Sequence, residues 1–470
     1  MWNFKLKNNQ LAIVESNGRT WTYQALQDEI LLFHERIRDS RSLIFILTQN
    51  NIESLVAYTF AMEYDHVALL LNAEMNQSLL LELIRIYQPN YLWLPESFDC
   101  NVDGYNETVI SGYRYKLLQQ QTLIQHRYHP DLALLLTTSG STGNPKLIRL
   151  SKSNVASNME AIASYLKLTA SDRAITTLPM NYTYGLSIIN SHLVAGASIV
   201  LTDDSIVDAN FWSLYEQYQP TSLNGVPYTY QLLRRLIKPH HFNSLRYMTQ
   251  AGGRLGSQLQ KHFAELTTKH NVDFFVMYGQ TEATARMAYL DPSFVTEKLD
   301  SIGQPIPGGR FELVDEHGDG ITTPNTLGEL IYHGPNVSMG YATSLEDLSN
   351  DDEFQGRLST GDLAIVDDDG FFFIQGRLNR YVKVYGVRIN LDDIEKELIK
   401  MADGIELVVA GEEDQINVFS TGTIDSKLIG EAASKFRLHP TVFRSHVIDE
   451  IPKNQAGKVL YSRLNERIQR

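Results

Sequence analysis

Short, almost wholly apolar runs recur along the first part of the chain, at Ser42–Leu47, Val67–Leu71, Tyr91–Leu94 and Ala133–Leu136. Each reads as a short buried strand. Helical patterns lie between them, as at Leu79–Tyr87, which Pro89 ends. Strands alternating with helices predict a parallel α/β sheet. The fourth run breaks into Thr137, Thr138, Ser139, Gly140, Ser141, Thr142 and Gly143, then Asn144, Pro145 and Lys146. Glycines let the backbone turn tightly and approach a ligand closely. With the flanking hydroxyls and the Lys146 charge they form a concave donor surface suited to phosphate oxygens. A plain Ser/Thr/Gly surface turn has the same composition. The loop is not a Walker A loop: Lys146 follows Pro145 instead of a glycine, and Leu147–Leu150 reads as a strand instead of a helix.

A chain of 470 residues exceeds the size at which single cores divide, so two or three domains are expected. Apolar content of 43% and charged content of 20% describe an ordinary soluble globular protein. A net charge of −14 gives no support to nucleic-acid binding, yet a local basic site for anions fits within an acidic protein. The single Cys100 excludes an intrachain disulfide framework and fits a reducing cytoplasm. It has no nearby histidine and reads as a bystander. The N-terminal stretch lacks the apolar core of a signal peptide, and no run reaches membrane-spanning length. A cytoplasmic protein without a membrane partner is the expectation.

Further strand-to-loop junctions follow. The stretch Ile175–Leu178 leads through Pro179 and Asn181 to Tyr182, Thr183, Tyr184 and Gly185, then to a helix Leu186–Ala195. Tyr182 and Tyr184 thus stand at a strand's C-terminal end, where open α/β sheets bind ligands, although ordinary core aromatics read alike. Asn224-Gly225-Val226-Pro227-Tyr228 begins another strand-to-helix turn. After a strand Leu245–Met248 come Gly252 and Gly253, whose backbone can approach a planar ligand or simply turn. Phe274–Met277 delivers Tyr278-Gly279-Gln280-Thr281-Glu282. From Ser301 the Gly/Pro punctuation predicts a β-rich subdomain. In it, Gly328-Glu329-Leu330 and Gly340-Tyr341 read as structural. Asp362, in Thr360-Gly361-Asp362, can hold a ribose or cap a turn. Gly376-Arg377-Leu378-Asn379, then Val382-Lys383-Val384-Tyr385-Gly386, precede a helix Leu391–Met401. Residues 405–448 alternate strand and helix, and Pro452-Lys453 with Gly457-Lys458 ends the series.

Taken together, these motifs resemble those of the adenylate-forming superfamily, which comprises acyl- and aryl-CoA synthetases, adenylation domains of non-ribosomal peptide synthetases, and firefly luciferase. The resemblance spans essentially the whole chain. It implies an α/β fold with a large N-terminal AMP-binding domain, 1–376, built of two α/β sheet subdomains and a β-rich subdomain from about 301. A small α+β C-terminal mobile domain, 377–470, would follow a hinge. Thr138, Ser139, Gly140, Ser141, Thr142, Gly143 and Lys146 would hold ATP's phosphates. Gly252, Gly253 and Tyr278 would hold adenine, a stacked base contributing roughly 1–3 kcal/mol. Asp362 would hold the ribose, and Arg377 would touch the ribose or a phosphate. By the same resemblance Thr281 would donate to the α-phosphate, Glu282 would bind Mg²⁺, and Lys458 would drive adenylation. Tyr182, Tyr184, Gly225, Val226 and Gly279 would line the acid pocket, with Tyr182 as its gate and Gly279 leaving room for the acyl group. Asn379 would be the hinge, and Lys383 and Gly386 would belong to the loop that faces the thiol.

The sequence departs from the family pattern in places. Leu147 replaces a glycine, Asn181-Tyr182 replace Phe-His, and Asn379 replaces the usual Asp or Lys of the hinge. Thr183 stands where amino-acid-activating members carry an aspartate, which counts against an amino-acid substrate. The implied activity is an ATP-dependent acid–thiol ligase. A carboxylic acid becomes acyl-AMP with release of pyrophosphate, and its acyl group passes to CoA or to a carrier protein's pantetheine. ATP is then a substrate and Mg²⁺ a cofactor. A stand-alone adenylation enzyme loading an amino or aryl acid onto a carrier protein in trans is the alternative within the fold. A non-catalytic nucleotide-binding protein is the alternative outside it, and the joint presence of Glu282, Asp362 and Lys458 argues against that.

Overall fold

The four apolar runs form the strands Leu43–Thr48, Val67–Asn72, Tyr91–Pro95 and Leu132–Thr137, parallel neighbours in one sheet. Leu43–Thr48 is buried along its whole length, as a strand covered on both faces must be. A computed structural model gives the architecture; it describes residues 1–470 except 3, 5–7, 38–40, 111, 123, 125, 138–145, 386, 403, 413, 454–458, 462 and 465–470.

Among the described residues, eight strands form that sheet and nine form another. The larger one runs parallel through its middle, in the order Asp273–Tyr278, Tyr247–Gln250, Ser222–Gly225, Arg173–Ile175, Ser198–Leu201 and Leu11–Glu15. Antiparallel strands close its edges. All but one of the 12 residues of the helix Ile52–Glu63 are buried, so it is apolar all round instead of striped. One contiguous core joins residues of both sheets with that helix. Cys100 is buried in a second core cluster.

Chain packing divides the protein into two compact units. The first holds the described residues of 1–140, 144–311 and 332–358; the second holds those of 312–331 and 359–470. The second contains most of a four-stranded sheet, the helix Leu391–Met401, and the three-stranded sheet Leu407–Glu412, Gln415–Ser420 and Phe443–Val447. Among the described residues no helix is long and apolar enough to cross a membrane.

Several boundaries differ from the sequence expectation, as where the helix expected at Leu186–Ala195 begins at Thr183, and two of them have a visible local reason. The strand expected at Leu245–Met248 runs Tyr247–Gln250, because the Leu245 N–H is held by the Phe242 carbonyl of the preceding 3₁₀ turn. The apolar spacing behind a capping residue predicts a helix over Ser153–Leu168, and the helix runs Lys152–Tyr165. Ser151 and Asn154 form a reciprocal capping box at its start, and Lys167 at φ +52° lies beyond its end.

Candidate active site

The loop 138–145 lies outside the described residues, but its two flanks do not. Leu132–Thr137 pairs antiparallel with Leu147–Ser151, with Thr137 opposite Leu147, so the loop's ends are held side by side. Leu147–Ser151 in turn pairs with Tyr341–Ala342, placing Tyr341 opposite Ile148. Arg149, fully buried, fixes that register with hydrogen bonds to the carbonyls of Met339, Tyr341, Asn350 and Asp351.

This pairing assembles a line of three groups. The Lys146 ammonium lies 3.2 Å from the centroid of the Tyr341 ring, and the Tyr341 hydroxyl donates to Glu282 Oε1 at 3.2 Å. Burial, and then the Glu282 carboxylate, push the Tyr341 hydroxyl well above its ordinary pKa, so it stays a proton donor. The lysine of one strong motif and the carboxylate of another are thus joined through a tyrosine that the sequence assigned only to structure. Nothing local marks Tyr341; its partner strand is set by tertiary pairing.

Glu282 sits in a tightly constrained turn after the strand Asp273–Tyr278. The Ala285 N–H donates to the Ala283 carbonyl at 2.7 Å, with Thr284 between them at φ +66° and ψ −57°. That is a γ-turn of the strained type, and strain of this kind costs about 1–3 kcal/mol. Asn336, 1% exposed, holds it. Its Nδ2 donates to the carbonyls of Ala283 (2.9 Å) and Arg286 (3.1 Å), and its own carbonyl accepts from the Thr284 hydroxyl at 2.7 Å. The Ser338 N–H donates to the Glu282 carbonyl at 2.8 Å, and Tyr332 donates to Asn336 Oδ1 at 2.9 Å. Gly279 has no room for a side chain: a Cβ there would lie 1.7 Å from the Ala285 carbonyl oxygen. Its missing side chain accommodates the protein's own backbone. Thr281 opens the short 3₁₀ turn Thr281–Ala283 beside it, and the half-buried Tyr278 ends the strand.

The residues expected around the acid and the adenine also lie in this first unit. Tyr182 packs edge-on against Tyr184, with ring centroids 6.4 Å apart. A Cβ on Gly252, which is at φ +84°, would lie 2.6 Å from the Tyr182 hydroxyl and 3.1 Å from Val226. Gly225, Val226, Gly252 and Tyr182 are therefore one neighbourhood. Burial pushes the Tyr182 hydroxyl up to about 12. Tyr184 is committed to the core, its hydroxyl donating to the Thr249 carbonyl at 2.9 Å. Tyr228, an aromatic of the same stretch, points away at 58% exposed. Gly253 is exposed.

In the second unit Asp362 and Arg377 are cross-strand partners, with Nε and Oδ1 2.9 Å apart; the carboxylate is buried and the guanidinium half exposed. Asn379 lies in the 3₁₀ turn Leu378–Arg380 and Lys383 in the strand Tyr381–Val384. Arg380 anchors this stretch through Asp392 at 2.7 Å, Glu395 at 2.8 Å and the Val409 carbonyl. Thr138, Ser139, Gly140, Ser141, Thr142, Gly143, Gly386 and Lys458 lie outside the described residues.

Elsewhere Glu216, His240 and His241 bring possible metal-ligand atoms within 4.8 Å of one another. His241 Nδ1 accepts the Lys238 N–H at 3.1 Å, which leaves the proton of the neutral ring on Nε2, the atom that faces Glu216. A protonated nitrogen is no metal donor.

Comparison with known proteins places these features. A model of the AMP-binding enzyme family matches residues 2–342. An oxalate–CoA ligase of Arabidopsis thaliana is 30% identical over 70% of this chain and 66% of its own length. A 2-succinylbenzoate–CoA ligase of Oceanobacillus iheyensis is 25% identical over 98% of this chain and 97% of its own. Among solved structures, the o-succinylbenzoate CoA synthetase MenE of Bacillus subtilis, in complex with ATP and magnesium ion, superposes with a TM-score of 0.77 at 22% identity, covering 97% of each chain. ATP-bound MatB of Rhodopseudomonas palustris gives 0.75 at 21% identity, covering 98% of this chain and 96% of its own.

Proposed function

This chain belongs to the AMP-binding enzyme family of the adenylate-forming superfamily and is an AMP-forming ligase of the acyl-CoA synthetase type; we propose that it joins a carboxylic acid to the thiol of coenzyme A through an acyl-adenylate. The carboxylate attacks the α-phosphorus of ATP, pyrophosphate leaves, and the CoA thiol then displaces AMP. The chemistry asks for positioning and neutralisation of charge more than covalent help.

The single observation that carries this reading is the line from Lys146 through Tyr341 to Glu282, since it puts a cation and a carboxylate at the mouth of one loop. Lys146 and the loop 138–143 hold the departing pyrophosphate oxygens. Tyr278, Gly252 and Gly253 receive the adenine, and Thr281 donates to the α-phosphate. Asp362 holds the ribose, with Arg377 orienting it. Glu282 suits magnesium: among the described residues its side chain accepts one hydrogen bond, from Tyr341, which leaves an oxygen for a hard cation. Magnesium bound there supplies positive charge against the ATP phosphates. Lys458 brings the carboxylate and the α-phosphate together. The part of the chain beyond Asn379 then turns, withdrawing Lys458 and presenting the loop around Gly386 to the thiol, a motion that needs few residues.

CoA is preferred over a carrier protein as acceptor because the relatives are named as CoA ligases. A cytoplasmic site of action fits the single cysteine. The test is pyrophosphate release with Mg-ATP over fatty, aryl and dicarboxylic acids, trapping the adenylate with hydroxylamine, then adding CoA alone. Acid-dependent release that Lys458→Ala removes, followed by thioester with CoA alone, supports the reading. Hydroxamate without any CoA thioester would move the acceptor to a carrier protein.

A further inference from the structure

The bend that follows the strand Arg173–Ile175 carries Tyr182, and a side chain from the other sheet holds it. That side chain is Asn50, which follows the strand Leu43–Thr48 and is 7% exposed. Its Oδ1 accepts the Met180 N–H at 3.1 Å. Its Nδ2 donates to the carbonyls of Leu178 at 3.3 Å and Thr202 at 3.1 Å. Asn50 is itself anchored, its backbone N–H donating to Asp203 Oδ1 at 2.8 Å. A carboxamide carries two donors and an acceptor on one short planar group. An aspartate there would lack the donors, and a serine would have only one.

Gly185 packs against the same bend. A Cβ there would lie 2.3 Å from the Pro179 carbonyl oxygen and 2.9 Å from that of Leu178. Both obstacles are backbone, so the bend cannot relax toward the helix that Gly185 belongs to. The Tyr182 N–H donates to the Pro179 carbonyl at 3.1 Å and completes the turn. From there the Tyr182 hydroxyl reaches the backbone of Gly252. A continuous line of contacts thus runs from Asn50 through the bend to the expected acid pocket. Lys146, Tyr341 and Glu282 stand on other elements.

We propose that Asn50 is a positioning residue for the acid: by fixing the backbone of Leu178 and Met180 it sets where Tyr182 stands, and with that the KM for the carboxylic acid but not the KM for ATP. The inference rests on the ligase reading above, with Tyr182 as a wall of the acid pocket, and adds to that pocket a residue of the opposite sheet. Misplacing a positioning group by about 1 Å can cost about a hundredfold in rate even when the change lies far from the chemistry.

The test uses Asn50→Ala and Asp203→Ala. Asp203 is exposed, and among the described residues its side chain accepts only the Asn50 N–H, so its variant keeps the packing intact. Pyrophosphate release is measured with octanoic, benzoic and succinic acids at saturating Mg-ATP, and ATP is then varied at saturating acid. The KM of the acid that wild type uses should rise about tenfold in Asn50→Ala and about threefold in Asp203→Ala, while kcat and the KM for ATP stay within about twofold. A merely structural loss lowers the active fraction, which reads as a fall in kcat at unchanged KM. Hydrogen exchange needs no acid: in Asn50→Ala the peptide 178–184 should exchange faster, and the strand Tyr247–Gln250 as in wild type. An unchanged acid KM in Asn50→Ala, an equal rise in the KM for ATP, or unchanged exchange at 178–184 overturns the assignment and leaves the ligase standing. No release by wild type with any of these acids overturns both. Where Asn50→Ala does not fold, the acid KM of Asp203→Ala decides alone.

Discussion

Two neighbouring strands of the same sheet, Tyr247–Gln250 and Asp273–Tyr278, each end in a glycine turn, and the two turns are built differently. At Gly252 and Gly253 the atoms that a side chain would meet belong to the Tyr182 hydroxyl, the Val226 methyl and the Pro227 ring. These are side chains, which can shift, and Gly253 is open to solvent. At Gly279 the obstacle is the Ala285 backbone carbonyl, 1.7 Å away, inside a turn that Asn336 clamps. The first turn meets only side chains; the other spends its free space on its own chain and so fixes Glu282. The same residue type at adjacent strand ends thus serves adaptability in one place and rigidity in the other.

Breaking the rigid turn should have the largest effect. Gly279→Ala must displace backbone, so we expect at least about 3 kcal/mol of lost stability in denaturant titration and no measurable pyrophosphate release. Asn336→Ala removes one of the two bonds to the Ala283 carbonyl and the bond that the Tyr332 hydroxyl donates. It should cost about 2–3 kcal/mol and lower turnover at least tenfold, while ATP affinity changes little. A third test reaches the other strand. Burial lowers the His192 pKa to about 4, and its Nε2 faces the hydroxyl of Tyr247, the first residue of the strand before Gly252. The unfolded chain takes up that proton near pH 6.5 and the folded one does not. The stability it lends is complete above pH 6.5 and falls with acid, by roughly 2 kcal/mol at pH 5. His192→Gln should flatten this part of the stability–pH curve, and a slope equal to wild type would contradict the assignment. Gly253→Ala should cost least, under about 1 kcal/mol, with any loss falling on the KM for ATP. A Gly253→Ala defect as large as that of Gly279→Ala would erase the contrast.

Much of this was legible in the sequence because local signals agree with the tertiary result. The all-apolar runs are strands since parallel strands are covered on both faces, and Thr281-Glu282 follows a strand as the pattern implies. The residues that connect the motifs were not legible. Tyr341 enters the site through pairing with the strand after the phosphate loop, and no periodicity in the chain encodes that partner. Asn336 sits in a Pro-Asn-Val stretch that looks like any turn, yet it holds a turn more than fifty residues earlier in the chain. Arg286 looks like an ordinary surface arginine until its burial is known, with no carboxylate paired to it among the described residues. Gly279 was expected to make room for the acyl group, but its direction toward Ala285 is visible only in three dimensions.

The most direct measurement follows an oxygen atom. With the acid labelled with ¹⁸O in its carboxyl group, attack on the α-phosphorus and later thiolysis should leave one heavy oxygen in each AMP released. Labelled AMP, formed by the wild-type protein and lost in Glu282→Gln, is the predicted result. ADP as the nucleotide product, or AMP without label, would contradict the acyl-adenylate and the reading of the Lys146–Tyr341–Glu282 line built on it.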